Sequence, residues 1–280
     1  MELDVGYLIF PVCGIAAGAV SWTWFRAEDT DDASLFWGFM VPFALGVMVL
    51  YGLSRTETVR LKADPAFRLQ RQLDAHPIYA AMKLYAKTEH AELHKALMAD
   101  GLGGGAGVQK MFRDARPWLA SLGTQRMGFA DAAGRVAWAQ MYVDTLAELR
   151  ERSPEECFQV IARQPEGSRA LQTGLSEANT RAFEALFAHH LQVTYEGMGS
   201  PKGRQPMAEF NEAARQWRVL MEQVKDRYGQ AVADLLAHKK FAAAPPDTHG
   251  VVCAARIAQL NLFLQEPEPM AGVLVDSAMR

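Results

Sequence analysis

The stretch 127-MGFADAAGRVAWAQMYVDTLAELRERSPEECFQVI-161 decides the fold class. Across residues 127–152, Phe129, Ala133, Val136, Ala137, Gln140, Met141, Thr145 and Leu149 recur at the three-to-four-residue spacing of a buried helical stripe. Ser153-Pro154-Glu155-Glu156 then reads as a capping box, in which the Ser hydroxyl and the Glu156 carboxylate satisfy each other's backbone donors. Cys157, Phe158, Val160 and Ile161 follow as the apolar face of a second helix. Two helices joined at a capped break, with little sign of strands, point to an all-α domain.

The same punctuation runs in both directions. Asp64-Pro65 and His76-Pro77 each read as a cap followed by proline at the first helical position. Thr88-Glu89 opens a helix to Asp100 that Gly101 closes, and the glycine-rich run 101–107 reads as a flexible connector. Helical pattern resumes over 108–122, with Pro117 expected to kink or break it. Residues 176–196 form the next helix, with Phe183, Leu186, Phe187, Leu191 and Tyr195 inside, and 197–204 a break. Residues 205–238 read as one long helix or two joined near Gly229. Pro245-Pro246 is a stop, Asp247 or Thr248 a new cap, 251–264 an apolar helix, and 270–279 a short apolar segment folded onto the domain. The expected architecture is an irregular multi-helix domain over residues 76–280.

The beginning of the chain is different. Residues 5–25 and 35–53 are two apolar runs without a charged residue. At the helical rise each is roughly 28–32 Å long, enough to cross the hydrocarbon core of a bilayer. Residues 1–53 therefore read as a transmembrane hairpin, and 54–75 as a basic juxtamembrane connector. The overall net charge of −3 hides this division. Residues 1–53 carry Arg26 against six acids, whereas the rest of the chain is weakly basic. The loop 26–34 holds four of those acids, while Arg55, Arg60, Lys62, Arg68 and Arg71 follow the second run. Basic flanks stay cytoplasmic, so the expected topology puts the N-terminus and the helical domain in the cytoplasm; a periplasmic domain is the alternative. Those five basic residues are also candidates for contact with anionic lipid. Gly14 and Gly18, with Gly38 and Gly46 on the second run, offer close helix packing within the hairpin or between chains. No ionisable residue interrupts either run, which argues against an ion or proton pathway.

Residues 76–85 (HPIYAAMKLY), 89–97 and 149–158 (LRERSPEECF) resemble uncharacterised, often membrane-anchored helical proteins of proteobacteria. The resemblance covers about residues 76–164. It implies a helical domain and a bacterial envelope setting, and supplies no activity.

Candidate chemistry is sparse. His90 and His94, four apart, share a helix face as zinc ligands do, but no glutamate follows the first and no third ligand is evident. Of the adjacent His189 and His190, one should face the core and the other solvent, with Glu184 and Glu196 near enough in sequence for an acid–base pair. The run 101–110 lacks the Gly-Lys-Ser/Thr ending of a phosphate loop. Residues 201–204 form a small basic loop. Cys13 lies in the first apolar run; Cys157 and Cys253 are expected as free thiols in a cytoplasmic domain, or as a pair in a periplasmic one. No cofactor is implied. The expected function is protein–protein interaction at the bacterial inner membrane, as an adaptor, immunity protein or secretion accessory, with membrane lipid and a protein as partners and no nucleic acid. A membrane-associated His/carboxylate enzyme and a homo-oligomer assembled through its transmembrane helices are the alternatives.

Overall fold

The computed structural model describes residues 46–48, 52, 64–104, 107–198 and 207–279. All regular structure among the described residues is helical. Most of both apolar runs lies outside them, as do Gly14, Gly18, Gly38, Cys13, Arg55, Arg60 and Lys62. Among the described residues no helix is long and apolar enough to cross a membrane. The chain divides into two compact units, Met1–Leu73 and Asp74–Arg280.

Helix α1 (Pro65–Asp74) closes the first unit. Asp64 caps it, its Oδ1 accepting from the amides of Ala66 at 2.9 Å and Phe67 at 3.1 Å. Arg68 and Arg71 are exposed on this helix.

The second unit continues with α2 (Pro77–Tyr85), α3 (Lys87–Gly104), α4 (Val108–Arg126) and α5 (Ala132–Arg152). Then come α6 (Pro154–Ile161), α7 (Pro165–Thr173), α8 (Glu177–Met198), α9 (Met207–Tyr228), α10 (Gln230–His238), α11 (His249–Leu264) and α12 (Glu268–Met279). Helix α5 is the hub, packing against α6, α8, α11 and α12. Helix α12 is buried almost all round, as the apolar last segment predicts. Gly229, at φ +88°, separates α9 from α10 in a conformation open to glycine.

Several boundaries depart from the sequence reading. Helix α3 does not stop at Gly101 but runs on to Gly104, so the expected connector is partly helical. Pro117 sits inside an unbroken α4: the ring forfeits one backbone hydrogen bond, and burial of Met111, Phe112, Leu119 and Leu122 on the same helix outweighs that loss. Residues 127–129 form a separate 3-10 turn, and α5 starts only after Asp131, whose carboxylate accepts from Gly134 N at 2.8 Å. That late start moves the buried stripe. Thr145 and Leu149 of the expected stripe are buried, together with Arg135, Trp138, Ala139, Val143 and Leu146, while Phe129, Ala133 and Gln140 are exposed. Only half of the capping box forms: Ser153 accepts from Glu156 N at 3.3 Å, but the Glu156 carboxylate pairs with Arg152. Helix α7 occupies a stretch to which the sequence reading assigns no element.

Two contacts hold this arrangement. Trp138 of α5 packs closely against Gly123 of α4, where an added Cβ would meet the indole ring at 2.3 Å. Cys157 of α6 and Cys253 of α11, expected free in a cytoplasmic domain, form a disulfide with Cα atoms 5.9 Å apart, and both are fully buried. They are 96 residues apart, so the bond removes a long loop's worth of freedom from the unfolded chain.

Gly123→Ala is expected to lower stability by about 1–3 kcal/mol through overpacking against Trp138. Replacing both Cys157 and Cys253 by Ser should cost about 2–5 kcal/mol. Urea unfolding of each variant beside the parent reads both; an unchanged midpoint would remove that contact from the account.

Candidate functional site

Among the described residues a cavity of about 760 Å³ is bounded by α4, α5, α6, α7, α8, α11 and the end of α12. Its described lining includes four cations, Arg116, Arg163, Lys239 and Arg256, and no aspartate or glutamate. Trp138, Met141, Leu171 and Phe183 supply apolar wall.

Arg116 and Arg256 are buried, with 3% and 5% of their surface exposed. Arg116 donates to Asn179 Oδ1 at 2.7 Å and Thr180 Oγ1 at 3.3 Å, and its guanidinium lies 4.6 Å from the centre of the Phe183 ring. These acceptors are neutral. Burial pulls its pKa down to about 10, against the pull of Glu148 and Glu184, so the group stays charged at neutral pH. Arg256 donates to Gln259 Oε1 at 2.7 Å and to the Ala278 carbonyl at 2.9 Å. Its Nε is buried without a hydrogen-bond partner, and burial lowers its pKa too. Arg163 and Lys239, at the exposed rim, donate to the carbonyls of Met279 at 3.3 Å and Ser277 at 3.0 Å. Beside Arg256 and Arg163, burial raises the Tyr142 phenol and the two guanidiniums pull the other way.

The histidines occupy other places. His90 and His94 do share one face of α3, their rings nearly parallel with centroids 6.1 Å apart. Tyr79 of α2 stands edge-on to His90 at 4.4 Å, and its hydroxyl bonds His94 Nδ1 at 2.7 Å. Among the described residues no group of three His, Cys, Asp or Glu side chains could hold a metal ion. Glu89, the acid next to His90, is bonded instead to Arg126 at 2.5 Å. His190 faces the core and His189 solvent, as expected of neighbours on a helix. His190 stacks on Trp138 at 4.5 Å and bonds the Gly123 carbonyl through Nε2 at 2.9 Å. Glu196 bonds Gln192, and Glu184 lies 3.5 Å from His76, so neither acid is bonded to His190. Lys110, at the end of the glycine-rich run, is inside α4 and paired with Asp114 at 2.6 Å. Residues 201–204 lie outside the described residues.

A third feature is on the surface. Leu84, Phe129, Tyr195 and Met198 are between 44% and 61% exposed. Two contacts link the segments that carry them: the Tyr85 and Tyr195 rings are 5.6 Å apart, and Gly197 lies against the Phe129 carbonyl. Sequence reasoning put Tyr195 and Phe129 inside; the late start of α5 and the continuation of α8 to Met198 leave them outside.

No protein-family model, curated protein or solved structure matches this chain.

Burial dominates two further titrations. His76, stacked on Phe112 at 3.6 Å with no hydrogen bond to either ring nitrogen, has its pKa lowered to about 4 by desolvation, as has His190. The unfolded chain takes up these protons near pH 6.5 and the folded chain only near 4. Their contribution to stability is therefore full above pH 6.5 and is lost as pH falls towards 4, at up to about 1.4 kcal/mol per pH unit for each group. Urea midpoints measured between pH 7 and pH 5 should fall, and His76→Phe should flatten the slope; an unaltered slope would exclude His76 as a contributor.

Proposed function

We propose that this protein is a membrane-tethered interaction module of the bacterial inner membrane. Residues 1–53 form its helical hairpin anchor, residues 54–75 a basic connector at the lipid surface, and residues 76–280 the helical domain that binds a protein partner. The observation that carries the reading is the exposed group Leu84, Phe129, Tyr195 and Met198. Large apolar side chains exposed on neighbouring segments are candidates for the core of a binding patch, and tyrosine is among the residues that contribute most when such a patch is covered.

The disulfide favours the periplasmic alternative for this domain. Basic residues after the second apolar run argue for a cytoplasmic exit, but thiols in the cytosol are kept reduced and structural disulfides belong to oxidising compartments. Cys157 and Cys253 are bonded inside the core, away from any surface where a transient redox role would place them.

Two measurements test this reading. Capture of the full chain from bacterial membranes in mild detergent should recover a partner in near-stoichiometric amount, and Tyr195→Ser with Phe129→Ser should reduce that recovery about tenfold. Recovery of the chain alone, or of equal partner with the variant, would sink the patch. In a Cys13→Ser background, alkylation of denatured protein taken from cells should label Cys157 and Cys253 only after reduction. Labelling without reductant would return the domain to the cytoplasm.

A further inference from the structure

We infer that His90 and His94 form a two-imidazole chelate for a divalent transition-metal ion, copper(II) above all. This goes beyond the interaction reading and rests on residues outside the exposed apolar group.

The spacing suits a shared ion. Residues four apart stand on one face of α3, one turn above the other. Their ring centres are 6.1 Å apart. A metal–nitrogen bond of about 2.0–2.1 Å sets an ion about 3.2 Å from a ring centre, so centres up to about 6.4 Å apart can share one ion. The two rings are nearly parallel, and a turn of one imidazole about its Cβ–Cγ bond, a broad torsion, directs both nitrogens to a common point. His90 has no hydrogen bond at Nε2 to oppose that turn.

The ring nitrogens are disposed as ligands. His94 is held through Nδ1, 2.7 Å from the hydroxyl of the buried Tyr79. A metal-bound histidine characteristically donates its other ring N–H to an oxygen acceptor, which fixes the tautomer and the ring orientation. With the Tyr79 hydroxyl accepting from Nδ1, the lone pair of His94 is on Nε2. His90 presents the complementary case: its Nε2 is buried without a hydrogen-bond partner, although the residue as a whole is half-buried. An orphaned nitrogen carries a desolvation cost, which a metal bond offsets. Tyr79 stands edge-on to that ring at 4.4 Å, so one tyrosine of α2 touches both histidines. Desolvation lowers the His90 pKa, and the charges of His94 and Lys83 act the same way against Asp74, so the imidazole is neutral and able to ligate at pH 7.

The donor set selects the ion. Imidazole nitrogen suits copper, nickel and zinc, whereas magnesium and calcium take oxygen, and copper(II) heads the affinity order at nitrogen sites. Two acids close by are paired with cations: Asp74 with Lys83 at 3.0 Å, and Glu89 with Arg126 at 2.5 Å. Two protein ligands make a chelate and not a closed cage, so the remaining coordination positions fall to water.

The test is calorimetric titration of the full chain in lipid nanodiscs with copper(II), with empty nanodiscs as baseline. One site per chain should saturate ahead of any other, and excess magnesium should not displace the ion. His90→Gln and His94→Gln should each weaken that site by about a hundredfold, and His189→Gln, exposed on α8, should leave it as in the parent. Pulsed electron paramagnetic resonance of the parent with one equivalent of copper(II) should show two coordinated imidazoles. Absence of a saturable site would overturn the proposal, as would parent-like affinity in either His90→Gln or His94→Gln, or loss of the site in His189→Gln. If a variant does not fold, the parent spectrum decides, because a single imidazole on the ion is incompatible with the chelate.

Discussion

The contact of Trp138 with Gly123 sets the spacing on which the helical domain depends. Only a residue without a side chain lets α4 approach α5 closely enough for the indole to lie on its backbone. The position of the ring then fixes its neighbours. Phe183 and Phe187 of α8 stand at 6.1 Å, and His190 stacks at 4.5 Å. The same histidine reaches back to the Gly123 carbonyl, so α4, α5 and α8 are joined at one point by packing, stacking and a hydrogen bond. Neutral imidazole is what this point requires: a charged ring would lie buried against indole with no carboxylate bonded to it. The low pKa of His190 thus follows from the same geometry that orders the core.

The disulfide acts on the other side of the hub. Helices α6 and α11 both pack on α5, and the Cys157–Cys253 bond ties them to each other. Helix α6 is only eight residues long and would be marginal alone. Its cap at Ser153, four buried residues and a covalent bond into α11 hold it in place. Because α6 also forms part of the cavity wall through Val160 and Ile161, the bond contributes to the shape of that space as well as to stability.

Helix class and most breaks were legible because they are local chemistry. Asp64-Pro65, Ser153-Pro154 and Gly229 each act within one or two turns, and each stands where the sequence puts it. What sequence could not show was set by distance in space. Periodicity on α5 was read from apolar residues such as Phe129 and Ala133, but the inward face is defined by Trp138 and Arg135, the latter donating to the Ala130 carbonyl at 2.9 Å. A buried arginine is not something apolar spacing can pick out. The cavity was missed for the same reason: Arg116, Arg163, Lys239 and Arg256 come from four separate segments, with no spacing to connect them. One signal was available. Arg256 interrupts the apolar run 251–264, and an arginine in a helix otherwise fit for burial marks a place where a cation has work inside the domain.

The burial of α12 explains that arginine. Helix α12 is buried along most of its length, and the carbonyls of its last turn take donors from neighbouring segments. Donors must be brought to them. Arg256 supplies one from the middle of α11, and Arg163 and Lys239 supply others from the residues just beyond α6 and α10. The four cations around one space are thus in part a consequence of how the last helix is buried. Arg116 is the member this requirement does not account for: it belongs to α4, and its acceptors are Asn179 and Thr180 of α8. Its guanidinium also lies over the Phe183 ring at 4.6 Å and feels the charges of Glu148 and Glu184, so a cation at that position joins α4 to α8 by more than its hydrogen bonds.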